Sequence, residues 1–341
     1  MSASLDIVSV GMVTAVGLDG PSSCAAMRAR LDGFRETNFF ESSDTRLNGA
    51  PVPLPRNWIG EKRMAHLAAG AISEAFEAAP QARGQTALIL CLPEEDRPGR
   101  PMRDNSALLR RIGEIVNVSP HSRSRTVAHG RPSGHAAFDY ARRLLGSGEA
   151  PYVMIAGVDS YLTAPAVHHY LDKKRLLTSD NPDGFIPGEA AAAVLCSRPE
   201  GDGFKLFGLG LAREPASIVN ADDLPLRADG MTAAYSAVFR ESGIEMNRLG
   251  YRISDLVGEQ YWFKQAALVT IRLLRGRHRF QDLWSPAESL GNVGAAVVPL
   301  MVGMAWTAAQ KGYAAGNPVL IEASSDAGAC GAALFGMRKA A

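Results

Sequence analysis

Residues 156–195 read AGVDSYLTAPAVHHYLDKKRLLTSDNPDGFIPGEAAAAVL. The stretch opens on small and β-branched residues and closes on an alanine-rich run. Between them, Gly184 and Gly188 suit a tight turn and Pro187 fixes the backbone at its entry. The alanines that follow allow a strand to pack closely between helices. The stretch therefore predicts two buried strands separated by a turn.

Short aliphatic runs and Ala-rich amphipathic stretches alternate along the rest of the chain. The aliphatic runs predict strands at 7–10, 87–90, 152–156, 191–195, 204–209, 319–321 and 332–335. The amphipathic stretches predict helices at 21–30, 61–78, 105–116, 133–145, 231–242, 261–274 and 294–310. Strands joined by helices are typical of an α/β protein whose mostly parallel central sheets are layered between helices.

Breaks in this alternation predict the domain organisation. The polar, Gly-rich segment 199–203 separates two strand-like runs, and it predicts a boundary between an N-terminal half, 1–200, and a C-terminal half, 203–341. Two segments rich in proline and charged residues, 40–57 and 93–102, are expected to be exposed loops.

Composition excludes several classes of protein. The 341 residues are 46% hydrophobic and 21% charged, which describes a globular protein with a sizeable core. Because the sequence has 36 basic and 35 acidic residues, its net charge creates no overall electrostatic field that would favour binding to nucleic acid or to an anionic membrane. The uncharged stretch 291–309 approaches the length of a membrane span, but its modest hydropathy favours a helix buried within the protein.

The cysteines and the N-terminus predict the compartment. The four cysteines are far apart in sequence and lack CxxC spacing, as is typical of reduced, buried thiols: Cys24, Cys91, Cys196 and Cys330. The first residues lack a basic segment, and Asp6 precedes the first apolar run. We therefore expect a cytoplasmic protein without a secretory signal.

The quoted stretch resembles the β-ketoacyl synthase family, in which a Gly-Val-Asp strand precedes a Gly-Phe-x-Pro-Gly-Glu turn. The segment GMVTAVG at 11–17 is similar to the family's opening strand and turn. GNVGAA at 291–296 is similar to its Gly-His-x-x-Ala-Ala loop, and DAGACG at 326–331 to its closing turn. The resemblance spans nearly the whole chain and implies a thiolase-like fold.

The resemblance also implies which residues should condense acyl groups: a cysteine nucleophile at a helix N-terminus and two histidines. In this sequence the cysteine position falls at Arg131, the second histidine at Asn292 and a lysine near Ala287. Segment 254–260 contains neither the first histidine nor its neighbouring threonines, and Asp326 stands where a gating phenylalanine is expected. Arginine stays protonated and cannot be the nucleophile. The chain therefore resembles a degenerate member that lacks the Cys-His-His set.

The polar residues around Arg131 leave alternatives open. Ser133, with His129 and His135 close in sequence, could form a rebuilt nucleophile and base, although a serine before a helical run is more often an N-cap. Arg131 could clamp an anion at the helix N-terminus, but a surface or interface salt bridge is favoured. Asn292 could donate into a partial oxyanion site or simply satisfy a turn.

The small-residue segments 291–296 and 327–331 are expected to converge on the start of the helix at Ser133 and to mark the altered active-site location. Within them, Gly291 and Gly328 are expected to bind a ligand together with Arg131.

Other polar and aromatic residues favour structural roles. Asp255 and Glu259 are expected to be solvated charges. The aromatic residues Trp262, Phe263 and Trp284 are expected to lie in the core or at an interface. The sequence has no phosphate loop, dinucleotide fingerprint or metal-ligand spacing, so no cofactor and no metal are predicted.

Two classes of function remain. The first is a β-ketoacyl synthase-like (3-oxoacyl-ACP synthase-related) protein that does not condense and acts by binding or assembly, similar to a chain-length-factor subunit. The second is an acyltransferase or hydrolase built on Ser133, and a weaker alternative is an accessory role in bacterial secretion. The family's dimer implies a homodimer, or a heterodimer with a ketosynthase-like chain, built around 86–92 and 126–157. Acyl carrier protein is a further candidate partner.

Overall fold

A computed structural model describes residues 4–42, 44–119 and 121–338. Its strands are β1 (Asp6–Val13), β2 (Arg35–Phe40), β3 (Arg46–Gly49), β4 (Thr86–Cys91), β5 (Arg125–Val127), β6 (Tyr152–Ser160), β7 (Glu189–Ser197), β8 (Gly203–Arg213), β9 (Tyr251–Ser254), β10 (Asp282–Trp284), β11 (Val319–Ser324) and β12 (Ala329–Arg338). Its helices are α1 (Gly20–Arg28), α2 (Gly60–Glu77), α3 (Asn105–Val116), α4 (Ser133–Ser147), α5 (Ala164–Asp172), α6 (Asp229–Ser242), α7 (Gln260–Leu273), α8 (Ala287–Leu290) and α9 (Val297–Gln310). Every strand and helix expected from the sequence is present.

The central sheet repeats one pattern twice. Ten strands follow the order β10-β9-β11-β12-β8-β1-β7-β6-β4-β5, so β1-β7-β6-β4-β5 has the same arrangement as β8-β12-β11-β9-β10. In each repeat the inner strands pair antiparallel and the outer strands pair parallel. The repeats meet where β1 pairs with β8. This mixed sheet with flanking helices confirms the thiolase-like α/β fold.

The domain boundary at 199–203 falls in the exposed connection between β7 and β8. It stays a prediction, which the repeated strand order supports.

Side chains on the two faces of the sheet pack against different layers of helices. In β7, Ala191, Ala193 and Leu195 belong to the core formed with α2 and α3, whereas Ala192 and Val194 belong to the core formed with α4 and α9. Strands of the second repeat also contact α4 and α9 on one side, and α6 on the other. The helices α4 and α9 therefore lie between the two repeats, in the middle of the molecule.

Helix α9 confirms the interpretation of the uncharged stretch 291–309. Most of its residues are buried, and it contacts strands of both repeats. A helix surrounded by protein needs apolar residues on all its faces, which explains the missing polar face. Among the helices of the described ranges, none combines the length and hydropathy that a bilayer span requires.

The prediction of exposed loops is partly wrong for both segments. Segment 40–57 contains β3, with Leu47 and Val52 buried, because this edge hairpin packs its alternate side chains inward. Segment 93–102 lacks regular structure, but Arg97 is buried because a buried carboxylate, Asp159, supplies its countercharge.

Of the two segments expected at a dimer contact, 86–92 and 126–157, only the second reaches the free edge of the first repeat. Strands β4 and β6 both have neighbours on either side, so the backbone of 86–92 offers no edge. The outer strand is β5, at Arg125–Val127. A dimer that continues this sheet would use β5.

Candidate active site

The expected location of chemistry is the N-terminus of α4. The connection from β5 turns at Gly130, where Ser133 N–H donates to the Gly130 carbonyl at 3.0 Å. The short turn Gly294–Ala296 and strand β12 both contact α4. The two small-residue segments therefore converge on the start of this helix, as the sequence predicts.

Arg131 occupies this location as a buried cation. Only 2% of its surface is exposed. Its Nη1 lies 3.2 Å from Asp255 Oδ2, its Nη2 lies 3.4 Å from Asp326 Oδ1, and its guanidinium carbon is 3.9 Å from the centre of the Trp262 ring. The expected surface or interface salt bridge is therefore wrong: the ion pairs are internal. An aromatic face and two carboxylates make burial of this cation tolerable.

A second arginine extends the charge network. Arg175 Nε and Nη2 donate to the two Glu259 oxygens at 2.6 and 2.8 Å, and Nη1 donates to Asp326 at 2.6 Å. Trp262 Nε1 donates to Glu259 at 2.9 Å. Asp255 and Glu259 were expected to be solvated, which is wrong, because arginines distant in sequence supply their countercharges. Trp262 is a core aromatic, as predicted, and Trp284 is half-buried.

Asp159 of β6 binds both a third arginine and the loop at 291–296. Arg97 Nη1 donates to Asp159 Oδ2 at 2.8 Å, and the same oxygen accepts from Ala295 N–H at 3.0 Å. Gly294 has φ +54°, and a Cβ there would lie 1.9 Å from Asp159 Oδ2. Only glycine lets the loop approach this carboxylate so closely.

Burial and countercharge have opposite effects on the carboxylates. Burial raises the pKa of Asp255 to about 6, and the Arg131 charge only partly offsets this rise. Burial alone would also raise the pKa of Asp326, but Arg175 and Arg131 outweigh it and hold that pKa below its ordinary value. Burial raises the pKa of Glu94, which packs against Gly130. Partial protonation of such carboxyls would bring the network closer to charge balance.

Ser133 and the two histidines do not form a relay. Ser133 Oγ accepts from His129 backbone N–H at 2.9 Å and donates to the Leu92 carbonyl at 3.3 Å. The buried His135 ring lies 3.1 Å, through Nε2, from the Ile321 carbonyl. Burial lowers the pKa of His135 to about 4, so it is neutral at pH 7. His129 is exposed. In this geometry the Ser133 hydroxyl joins the backbone of His129 to that of Leu92, and a catalytic role for Ser133, His129 and His135 stays a prediction.

The three residues Asn292, Gly291 and Gly328 stabilise or permit the turns in which they lie. Asn292 Oδ1 accepts from Gly294 N–H at 3.0 Å. Gly291 has φ +64°, and a Cβ would lie 2.3 Å from the Ile186 carbonyl oxygen. Gly328 has φ +87° and packs against Glu214 in the same way. Ligand binding by these glycines stays a prediction.

The cysteines offer no activated thiol. All four are free and buried. Burial raises the pKa of Cys330, in the closing turn, to about 12, and that of Cys24 to about 11. Because the thiolate is the nucleophilic form, these environments disfavour acyl transfer to cysteine.

Several residues of the network carried no signal in the sequence. Arg97 and Glu94 lie in a segment that reads as a loop, and Arg175 follows two lysines after a short helix. Asp159 was visible only as part of the Gly-Val-Asp strand. Their partners lie far away in sequence, so spacing could not reveal the pairs.

Comparison with solved structures identifies the fold as that of thiolase-like ketosynthases. The ishigamide ketosynthase/chain length factor aligns with a TM-score of 0.78 at 16% identity, covering 98% of this chain and 99% of that one. A type II PKS acyl-carrier protein in complex with its ketosynthase bound to the hexaketide aligns with a TM-score of 0.79 at 13% sequence identity, and the alignment covers all of both chains. A ketosynthase in complex with its chain length factor, from Xenorhabdus doucetiae, aligns with a TM-score of 0.75 at 13% sequence identity, and the alignment covers 98% of each chain. No family model and no curated protein matches the sequence.

Proposed function

We propose that this chain is a degenerate member of the β-ketoacyl synthase family that does not condense acyl groups and acts by binding or assembly. The observation that carries the proposal is Arg131. It stands where the family's cysteine is expected, is buried, and is held by Asp255, Asp326 and Trp262. A permanently protonated group has no lone pair with which to attack an acyl thioester.

The remaining positions support the same proposal. Asn292 stands at one histidine position and uses its side-chain oxygen within its own turn. The cysteine thiols all have raised pKa values. The network would have to be broken before a substrate could reach the start of α4, because buried arginines and carboxylates already bind one another.

The proposed mode of action is assembly, as in a chain-length-factor subunit. Two of the similar solved structures are described as pairs of a ketosynthase and a chain length factor, and one contains an acyl-carrier protein. By analogy we propose a homodimer or a heterodimer with a ketosynthase-like chain, and acyl carrier protein as a further partner. The outer strand β5 is the edge through which the sheet would continue.

Acylation tests the proposal directly. The protein is incubated with acyl-coenzyme A and acyl carrier protein donors, and its intact mass is measured. We expect no acyl adduct on the wild type. Stoichiometric labelling that Cys330→Ala abolishes would contradict the proposal.

The alternative enzyme, with a site rebuilt on Ser133, makes a different prediction in the same experiment. Labelling that disappears in Ser133→Ala would favour it. The hydrogen bonds of Ser133 to Leu92 and His129, both through backbone groups, give it less support.

A further inference from the structure

A cavity of about 270 Å³ lies apart from the buried network. It is bounded by the C-terminal end of α1, the segment that joins β10 to α8, and the C-terminal end of α9. Its walls combine two cations, two aromatic rings and two thioethers: Arg28, Arg30, Trp284, Tyr313, Met27 and Met304. None of these residues belongs to the network around Arg131, so the cavity is a separate site.

Neither arginine has an anionic partner among the residues that the structure describes. Arg28 places its guanidinium carbon 4.4 Å from the centre of the Tyr313 ring. Within the described part of the chain, neither the Arg28 nor the Arg30 side chain forms an ion pair or a hydrogen bond. In contrast, Arg131 and Arg175 are each paired with two carboxylates. Guanidinium groups have five donors, so this wall presents unused donors.

The end of α1 determines where these arginines lie. Leu31 N–H donates to the Ala26 carbonyl and Arg30 N–H to the Met27 carbonyl, both at 3.0 Å, which is the Schellman arrangement. Arg30 has φ +56°, the left-handed conformation of the residue that follows a helix in this motif. A cation in the last turn also suits the helix dipole, which accounts for Arg28 but not for Arg30 beyond the helix.

One carboxylate limits the positive charge of the cavity. Glu288 also lines it and is exposed. Among the described residues it has no ion pair, so it leaves two unpaired arginines against one unpaired glutamate. The cavity therefore carries a net positive charge and would attract a monoanion.

We propose that this cavity binds a small carboxylate with a flat aromatic body. Arg28 and Arg30 would donate hydrogen bonds to the carboxylate, because guanidinium forks match its geometry. Trp284 and Tyr313 offer aromatic surface to the ring, and Met27 offers a thioether, which packs well against aromatic groups. The volume lies just below the range of drug-sized pockets, so it favours a ligand of one or two rings.

The test uses 2-naphthoate with the full-length protein, with binding measured by calorimetry and by quenching of tryptophan fluorescence. We expect saturable binding of 2-naphthoate to the wild type. Binding should be at least about tenfold weaker for the neutral analogue 2-naphthamide, and for 2-naphthoate with the Arg28→Gln variant, because a charged hydrogen bond is lost in each case. Glu288→Gln should bind about two- to fivefold more tightly because repulsion is removed. Arg56→Gln, at an exposed arginine that lines a different cavity, is the matched control and should bind as the wild type.

Thermal unfolding establishes that each variant is folded. Arg28 and Arg30 are both exposed, so neither substitution should unfold the protein, and Arg30→Gln provides an independent second test. The proposal is overturned if the wild type does not bind 2-naphthoate at millimolar concentration. It is equally overturned if a folded Arg28→Gln or Arg30→Gln variant binds as well as Arg56→Gln. Neither result depends on whether the protein is acylated.

Discussion

The guanidinium carbon of Arg131 lies 3.9 Å from the centre of the Trp262 ring. Trp262 belongs to α7, whereas Arg131 precedes α4, so the contact joins the two repeats of the fold. The ring covers one face of the cation, while the carboxylates of Asp255 and Asp326 lie within ion-pair distance of its two terminal nitrogen atoms. The place where a nucleophile is expected is thereby filled with a stable internal interaction.

Removal of the buried cation should be costly. Arg131→Met keeps an unbranched stem but removes the guanidinium, so it leaves Asp255 buried without its countercharge. We expect a loss of about 3–5 kcal/mol in the free energy of unfolding at pH 7, measured by urea denaturation. The matched control is Arg123→Met, because the Arg123 side chain is 53% exposed and pairs with Glu149. That variant should lose less than about 1 kcal/mol. Equal losses would show that Arg131 is not a buried countercharge.

The cost of Arg131→Met should depend on pH. Because burial raises the pKa of Asp255 to about 6, this carboxyl is largely protonated at pH 5 and then needs no countercharge. The destabilisation should therefore be smaller at pH 5 than at pH 7. Arg131→Met combined with Asp255→Leu should recover part of the loss, with a coupling energy of about 1–3 kcal/mol. Strict additivity of the two substitutions would contradict the ion pair.

Glu322 should make stability fall as pH rises. It is buried, contacts Tyr235 and Ser254, and burial raises its pKa from 4.5 to about 8. Between these values the folded state holds a proton that the unfolded state releases, so unfolding becomes easier with increasing pH. Glu322→Gln imitates the protonated carboxyl and should remove this component. The check is urea denaturation from pH 5 to pH 8, in which the stability of Glu322→Gln relative to wild type should increase steadily.

Ser133→Ala should act on stability and not on chemistry. The hydroxyl accepts from the partly buried His129 N–H, which would lose this partner, and donates to the buried Leu92 carbonyl, which would still accept from Gly130 N–H. We expect a loss of about 1–3 kcal/mol in the free energy of unfolding. Hydrolysis of an acyl thioester, followed by thiol release, should be equally low in the variant and the wild type. A specific fall in hydrolysis without loss of stability would support the rebuilt enzyme.

Assembly should depend on the outer strand of the first repeat. A dimer that continues the sheet through β5 places Thr126 near its own copy or near the corresponding strand of a partner. Light scattering should give a dimer for the wild type, and Thr126→Lys should shift it towards monomer through like-charge repulsion. Thr45→Lys, an exposed threonine in the turn between β2 and β3, should leave the dimer intact. A monomeric wild type at micromolar concentration would contradict the assembly.

The amino-acid sequence alone predicted the fold and the longer elements, but not the short strands β2, β3, β5, β9 and β10 or the helices α5 and α8. Hydrophobic periodicity is a local property, and it located the helix at Ser133 and the buried helix at 297–310. The segment from Ala156 to Leu195 indicated the thiolase-like fold through its resemblance to the Gly-Val-Asp strand and Gly-Phe-x-Pro-Gly-Glu turn of the β-ketoacyl synthase family. The resemblance places the family's cysteine at residue 131, where this sequence has arginine.

Only the tertiary structure decided how Arg131 is accommodated. Whether an arginine is solvated or buried depends on countercharges, and those of Arg131 come from Asp255 and Asp326, more than a hundred residues away. The same holds for Arg175, which the sequence left without a role, and for Asp255, which it placed in solvent. Local patterns specify helices and strands, but a buried ion pair is created by the packing of distant segments, because the desolvation of each charge is tolerated only where its partner is brought within reach.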